Sequence, residues 1–308
     1  MFQSVPADVV ETLLLAACPE REAELRANWE QFQPEYQLRK DDVGTALSAL
    51  GHRVRWMHKT FALDWAIATL GMHALTAYSP HIFVAQAFGV PLSLHGHTDD
   101  ADLEAIESHM DAVAYFAGQI RNAKRLEDVA WPDDIPPPGA CPDPAKDPAG
   151  KATFDLACLA TAASFFHELR HLQFSAEQNA PAVSVAEERA CDEHARRMLL
   201  DRVADYALSR AEPQVSVSNK RIMGLATAAL CIAYAEAPGL PSAIANSHPP
   251  IAERFQVLVL EATADDNAHC WVYSACLLMH LLRRVNRMPT SVTFTSSKHL
   301  CTQLASLL

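Results

Sequence analysis

The sequence predicts a mainly α-helical protein with at most a small β element. A mostly apolar run over residues 151–180 contains no proline or glycine, which is typical of one long helix. Further helical runs occupy most of the chain beyond residue 184. Only residues 81–88 have the composition of a strand, and that segment also fits a helix.

Composition excludes several functional classes. With 308 residues, 50% hydrophobic and 20% charged, the chain has ample material for a buried core in one large or two ordinary domains. A net charge of -12 argues against nucleic-acid binding and against attraction to anionic lipids. Eight cysteines without a C-x-x-C pair are typical of reduced thiols, and the first residues lack the charge order of a signal peptide. We therefore expect a cytoplasmic protein.

The first 130 residues predict a helical region without a recognisable motif. An apolar run over residues 61–77 is shorter than the roughly 20 residues that span a bilayer and stops before Pro80, so we expect a buried helix and no integral membrane span. His95 and His97 flank a glycine, but two such histidines rarely complete a metal site alone. Other helices are expected over residues 6–32, from 41 to about 54, and over 101–126, the last capped by residues 98–100.

Residues 131–150 form a proline-rich segment that separates the two halves of the chain. Seven prolines within residues 132–148 exclude a helix and a central strand. We expect an irregular surface strap between a helical region over 1–130 and a second helical region over 151–308, or within one integrated domain over 1–308. The expected helices of the second region cover residues 151–180, 184–208, 219–236, 249–263, 267–287 and 296–308.

The motif H-E-x-x-H occupies residues 167–171 within the long helical run. At 3.6 residues per turn, His167 and His171 lie on one helix face, so both imidazoles can bind one zinc ion. Glu168 projects about 100° further round the helix, beside the open coordination position. There its carboxylate can take a proton from zinc-bound water, whose pKa the metal lowers from about 16 to about 7. These residues predict a zinc site that activates water.

A zinc ion that keeps a water needs a third protein ligand, and two nearby carboxylates fit that position poorly. Glu177 follows the second histidine by six residues, but that geometry needs a glycine turn where Phe174 stands. We expect Glu177 at the surface. Glu187 lies three residues after Ser184, which is the spacing of a capping box.

Glu188 is then the expected third zinc ligand, and Asp192 lies four residues later on the same helix face. A carboxylate there can accept the other ring N–H of a ligand histidine. An H-E-x-x-H followed by this E-x-x-C-D resembles the gluzincins, zinc peptidases whose third ligand is glutamate. Cys191 replaces the usual small residue, which leaves open whether Cys191 or Glu187 also contributes to metal binding.

A third element, S-H-P-P-x-x-x-R at residues 247–254, resembles one found in gluzincins of the CAAX-prenyl-protease and heat-shock-protease type. There it borders the active site. Amide hydrolysis places negative charge on the carbonyl oxygen, and an imidazole directed at that oxygen stabilises it. His248 is the candidate for this catalytic role, and the alternative is that it belongs to a helix start.

The order and positions of the three elements resemble the Lit-like phage-exclusion peptidases, and the resemblance covers about residues 154–255. It implies a helical zincin-like metallopeptidase core. It also implies a latent zinc peptidase, cytosolic or peripheral at the inner membrane, that a phage product triggers. Such an enzyme cleaves translation elongation factor Tu and thereby aborts infection.

Two other functions stay open at this stage. One is a zinc peptidase that cleaves a repressor. The other is a non-catalytic helical interaction protein in which zinc, closed off by Cys191 or His194 as a fourth ligand, holds two helices together.

Overall fold

A computed structural model describes residues 2–4, 7–39, 47–57, 59–93, 101–133, 135–139, 141–235 and 249–308. Most of these residues are helical, and the strands form one small sheet, so the predicted mainly α fold is confirmed. No helix among them is both long and apolar enough to cross a membrane.

The first part of the chain contains the sheet and two long helices. A 3₁₀ turn at Pro19–Arg21 interrupts the helix that the sequence predicted over residues 6–32. The elements are β1 (Phe2–Ser4), α1 (Ala7–Ala17), α2 (Glu22–Phe32), β2 (Glu35–Arg39), β3 (Ser48–Leu50), β4 (Arg53–Met57), α3 (Lys59–Phe88) and α4 (Ala101–Asn122).

The second part of the chain is helical, close to the predicted ranges. Its elements are α5 (Pro148–Glu177), α6 (Ser184–Leu200), α7 (Val203–Arg210), α8 (Gln214–Ala235), α9 (Ile251–Phe255), α10 (His269–Arg284) and α11 (Ser297–Ala305). A π-helical segment, Gln256–Leu260, continues α9.

The sheet has the strand order β1-β2-β4-β3, with β2 and β4 parallel and the two edge strands antiparallel to their neighbours. Gly51 turns the chain between β3 and β4 with φ 62°, a left-handed conformation that favours glycine. Aromatic rings from the sheet pack against Phe165 of α5: Tyr36 at 6.0 Å and Trp56 at 5.5 Å between ring centroids. The sheet therefore supports α5 two residues before His167.

Two predictions for the first half were wrong, and residues 81–88 adopt the helix that their sequence also fits. The expected helix from residue 41 to about 54 is partly the β3–β4 hairpin, while residues 40–46 lie outside the described part of the chain. The strand candidate at residues 81–88 is the last part of α3, which also continues through Pro80. Ile82 and Ala85 are buried beyond this proline, so burial of the helix face outweighs the loss of one backbone hydrogen bond.

The core is formed mainly by α3, α5, α8 and α10. Close approach of α5 and α8 depends on Gly224, because a Cβ at this position would overlap the Cβ of Leu159. Gly71 of α3 allows the same approach to the Tyr273 ring of α10. The helix that carries the H-E-x-x-H is thus held inside the bundle.

Asp64 is a carboxyl group buried in this core. The hydroxyl of Thr161 lies 2.5 Å from Asp64 Oδ2 and 2.9 Å from the carbonyl of Ala157. The Thr161 hydroxyl donates to Asp64, and this hydrogen bond favours the charged carboxylate. Burial acts more strongly in the opposite direction and raises the pKa of Asp64 to about 6.

The proline-rich strap lies against the first half of the bundle. Ile135 is buried, Trp131 packs on Phe116 at 4.7 Å, and Trp65 Nε1 donates to the carbonyl of Pro136 at 2.8 Å. The N-terminal region contacts the second half through a buried ion pair between Glu20 and Arg221. These contacts join the strap to the first half and the N-terminal region to the second half.

Candidate metal centre

Helices α5 and α6 bring three metal-binding side chains together. Nε2 of His167 lies 3.2 Å from Nε2 of His171. The carboxylate of Glu188 spans both rings, with Oε2 at 3.2 Å from the first Nε2 and Oε1 at 3.3 Å from the second. His167 and Glu188 are buried and His171 is nearly so. Two nitrogens and a carboxylate thus converge on one point.

Two further carboxylates orient the rings from outside. Nδ1 of His167 lies 2.8 Å from Asp192 Oδ1, and Nδ1 of His171 lies 2.7 Å from Glu187 Oε1. Each Nδ1–H therefore donates a hydrogen bond to a carboxylate, which directs Nε2 inward. The capping box predicted for Glu187 is wrong, because the N-cap of α6 is Val183 without a side-chain capping bond.

Arg254 of α9 completes the support of the first histidine. Two nitrogens of its guanidinium donate to the Asp192 carboxylate, Nε to Oδ2 at 2.8 Å and Nη2 to Oδ1 at 2.6 Å. Both side chains are buried. Sequence reasoning gave no role to Arg254, although it is the arginine of the S-H-P-P-x-x-x-R element. The buried chain Arg254–Asp192–His167 joins α9 to the centre.

The surrounding carboxylates make the centre favourable for positive charge. Burial works to lower the pKa of His167, but hydrogen bonds to Asp192 and Glu188 raise it to about 9. Burial also works to lower the pKa of His171, but hydrogen bonds to Glu188 and Glu187 raise it to about 9. Burial works to raise the pKa of Asp192, but His167 and Arg254 hold it below its usual value. A divalent cation fits the field that these groups create.

Glu168 is half-buried beside the two histidines. It makes no hydrogen bond or ion pair with any residue in the described part of the chain. Its charge nevertheless contributes to raising the pKa values of His171 and Arg254, which places the carboxylate close to the centre. A carboxylate that is near the centre and not engaged is available to exchange a proton.

The separations of the converging atoms fit a tetrahedral zinc site. Zinc bonds of about 2.0–2.2 Å place neighbouring nitrogen and oxygen ligands about 3.3–3.6 Å apart. The two Nε2 atoms are 3.2 Å apart, and Glu188 approaches His167 through Oε2 at 3.2 Å and His171 through Oε1 at 3.3 Å, all close to these values. Carboxylates that accept from the Nδ1 atoms of ligand histidines are also the usual outer shell of a zinc site.

Cys191 is a second candidate for the third ligand. Its Sγ and one ring nitrogen each of His167 and His171 all lie within 4.8 Å of one another. Glu188 lies 3.2 and 3.3 Å from the two rings, whereas burial above all raises the pKa of the Cys191 thiol to about 12. Glu188 is therefore the stronger candidate for the third position.

The other residues considered from the sequence lie elsewhere. Glu177 is exposed, as predicted, and accepts from Asn179 at 3.0 Å. His194 faces a small apolar pocket lined by Trp29 and Phe166, and burial together with nearby arginines lowers its pKa to about 3. It is therefore a neutral ring outside the centre. His248, His95 and His97 lie outside the described residues.

Comparison with known proteins gives one match. The family model for Peptidase U49 matches residues 54–274, well over half of the chain. The matched range includes α5, α6 and α9 and therefore the whole centre. No curated protein and no solved structure matches the chain.

Proposed function

This chain belongs to the Peptidase U49 family, and on that premise we propose that it is a zinc-dependent endopeptidase that cleaves an intracellular protein. The single observation that carries the zinc assignment is the convergence of His167 Nε2, His171 Nε2 and the Glu188 carboxylate at 3.2 to 3.3 Å. Three protein ligands leave a position for water or substrate, which is the arrangement of catalytic zinc.

Each residue then has a defined task. His167, His171 and Glu188 would hold zinc, while Asp192 fixes the ring of His167. A zinc ion bound there would supply polarisation of the scissile carbonyl and a lowered pKa of a water molecule. Glu168 accepts a proton from the attacking water and delivers it to the amide nitrogen that leaves.

His248 is the proposed stabiliser of the carbonyl oxygen during attack. The support for this role is its position in the S-H-P-P-x-x-x-R element, whose Arg254 reaches the centre through Asp192. A hydrogen-bond donor directed at the developing negative charge acts in the transition state more than in the bound substrate.

The family gives the class of substrate, and the motif resemblance gives a candidate for the individual substrate. A peptidase acts on a protein. The Lit-like order of the three elements supports elongation factor Tu as the candidate substrate, and phage exclusion through abortive infection as the candidate role. It also supports low activity until a phage-derived trigger acts, in the cytoplasm or at the inner face of the membrane. A repressor is the alternative substrate.

Identification of newly created N-termini tests this proposal. Lysates of uninfected and phage-infected bacterial cells are incubated with wild-type protein, with and without a zinc chelator, and the new N-termini are identified by mass spectrometry. We expect a small set that disappears on chelation and returns with added zinc. His171→Ala should lack the set, and Glu177→Ala, an exposed change on the same helix, should keep it.

The same experiment separates the competing functions. Cleavage within elongation factor Tu supports phage exclusion, and cleavage of a transcription factor supports the repressor alternative. Zinc-loaded protein that creates no new N-termini in any lysate would favour the closed, non-catalytic zinc site that Cys191 makes conceivable.

A further inference from the structure

Cys191 lies at the metal centre without a part in the proposed reaction. It is fully buried on α6, one turn after Glu188 and directly before Asp192. Its Sγ and a ring nitrogen of each motif histidine lie within 4.8 Å of one another. The helix face that supplies the third ligand therefore supplies a thiol as well.

The distance requires only a small change for the thiol to bind metal. Zinc–sulfur and zinc–nitrogen bonds of about 2.3 and 2.1 Å place sulfur about 3.6 Å from each nitrogen in a tetrahedral site. The limit of 4.8 Å leaves a difference of at most about one ångström. Glu188 also reaches both rings, so the thiol and this carboxylate, three residues apart on α6, both approach the two histidines.

We propose that Cys191 is a fourth, displaceable zinc ligand that closes the metal centre in the resting enzyme. This inference rests on the proposed zinc site. As the sulfur–zinc bond forms, the S–H bond breaks and its proton leaves to solvent. When water or the substrate carbonyl takes the position, the sulfur leaves the metal and regains a proton.

A site closed by the sulfur cannot hydrolyse a peptide bond, because water or the scissile carbonyl needs the position that the sulfur occupies. Displacement of the sulfur therefore opens the site, and the closed site restrains hydrolysis.

Cobalt substitution reports the thiolate directly. Cobalt(II) bound to sulfur shows a charge-transfer absorption in the near ultraviolet that nitrogen and oxygen ligands do not give. The purified full-length chain is loaded with cobalt as wild type, Cys191→Ala, and Cys301→Ala. Cys301 is also fully buried but lies on α11, away from the centre.

We expect one cobalt per chain in all three proteins. The sulfur band should be present in wild type and Cys301→Ala and absent in Cys191→Ala. An open form populated at about 0.1–10% of the resting enzyme predicts that Cys191→Ala raises basal cleavage about 10- to 1000-fold in the zinc enzyme.

The outcomes separate this inference from the proposed function. Cobalt bound to wild type without the sulfur band overturns the role of Cys191 and leaves the zinc site intact. A band that persists in Cys191→Ala also overturns it. Failure of wild type to bind cobalt or zinc overturns both proposals. The wild-type spectrum decides the matter even when the alanine variant does not fold, and Cys191→Ser provides a second variant of similar size.

Discussion

Removal of the Arg254 guanidinium is expected to lower the unfolding free energy of the metal-free protein by about 3–5 kcal/mol. The ion pair with Asp192 has two short contacts, 2.8 and 2.6 Å, and its side chains are 11% and 1% exposed. Arg254→Met would leave the Asp192 carboxylate buried with only His167 as a partner. The expected loss is therefore that of breaking a buried pair.

Denaturant titration of four proteins in the presence of chelator measures this effect. They are wild type, Arg254→Met, Asp192→Asn and the double variant. Because Asp192→Asn removes the unpaired charge, the double variant should lose less stability than the sum of the two single changes, by about 0.5–3 kcal/mol. Arg189→Met is the matched control, since Arg189 is 53% exposed in its pairs with Glu253 and Glu261. The control should cost about 0–1 kcal/mol.

Two results would refute this reasoning. One is a loss for Arg254→Met no greater than that of Arg189→Met, which would mean that the buried pair is solvated. The other is strict additivity in the double variant, which would mean that Arg254 acts through packing rather than through Asp192.

Three further predictions concern the centre and the core. Glu188→Ala should lose zinc in metal analysis. Glu187→Ala should retain zinc with about 10- to 100-fold lower affinity in chelator competition, since Glu187 only orients a ligand. Equal zinc affinities of the two variants would contradict the proposed roles. His248→Ala should keep zinc and KM and lower kcat about 100-fold or more, and a change in thermal stability alone would make it a helix cap. The pKa of Asp64, raised from 3.8 to about 6, predicts stability that is present below pH 4 and lost as pH rises through 6. In denaturant titration, the unfolding free energy of Asp64→Asn minus that of wild type should therefore be about 3 kcal/mol higher at pH 7 than at pH 4. An equal difference at both pH values would show that Asp64 is ionised throughout.

The helices of the second half could be predicted because their signals are local. Long apolar runs and start residues specify α5 and α10 within a few residues, whatever packs on them. They also specify the start of α6, although the helix expected over residues 184–208 divides into α6 and α7. The sheet could not be predicted in this way. Its strands are three to five residues long, and β2 pairs with β4 although β3 lies between them in the sequence. Pairing over such a distance leaves little pattern in any one segment.

The residues of the candidate metal centre also differ in whether local sequence spacing predicts them. Helix geometry alone places His167 and His171 on one face, and the E-x-x-C-D spacing singles out Glu188 and Asp192. The contact of Glu187 with His171 and the role of Arg254 were missed because they depend on how helices pack. Glu187 turns to His171 only because α6 lies against α5, and Arg254 reaches Asp192 only because the π-helical segment after α9 packs on α6. Neither contact is visible in local spacing.

Zinc content and proteolysis measured on one preparation of Glu168→Gln test the central claim most directly. Glutamine has nearly the same shape but cannot accept the proton, and Glu168 is not among the proposed ligands. We predict about one zinc per chain, an unchanged fold and no cleavage at the sites that the wild-type enzyme cuts. Cleavage at the wild-type rate by zinc-loaded Glu168→Gln would contradict the claim that this carboxylate activates water at a catalytic zinc site.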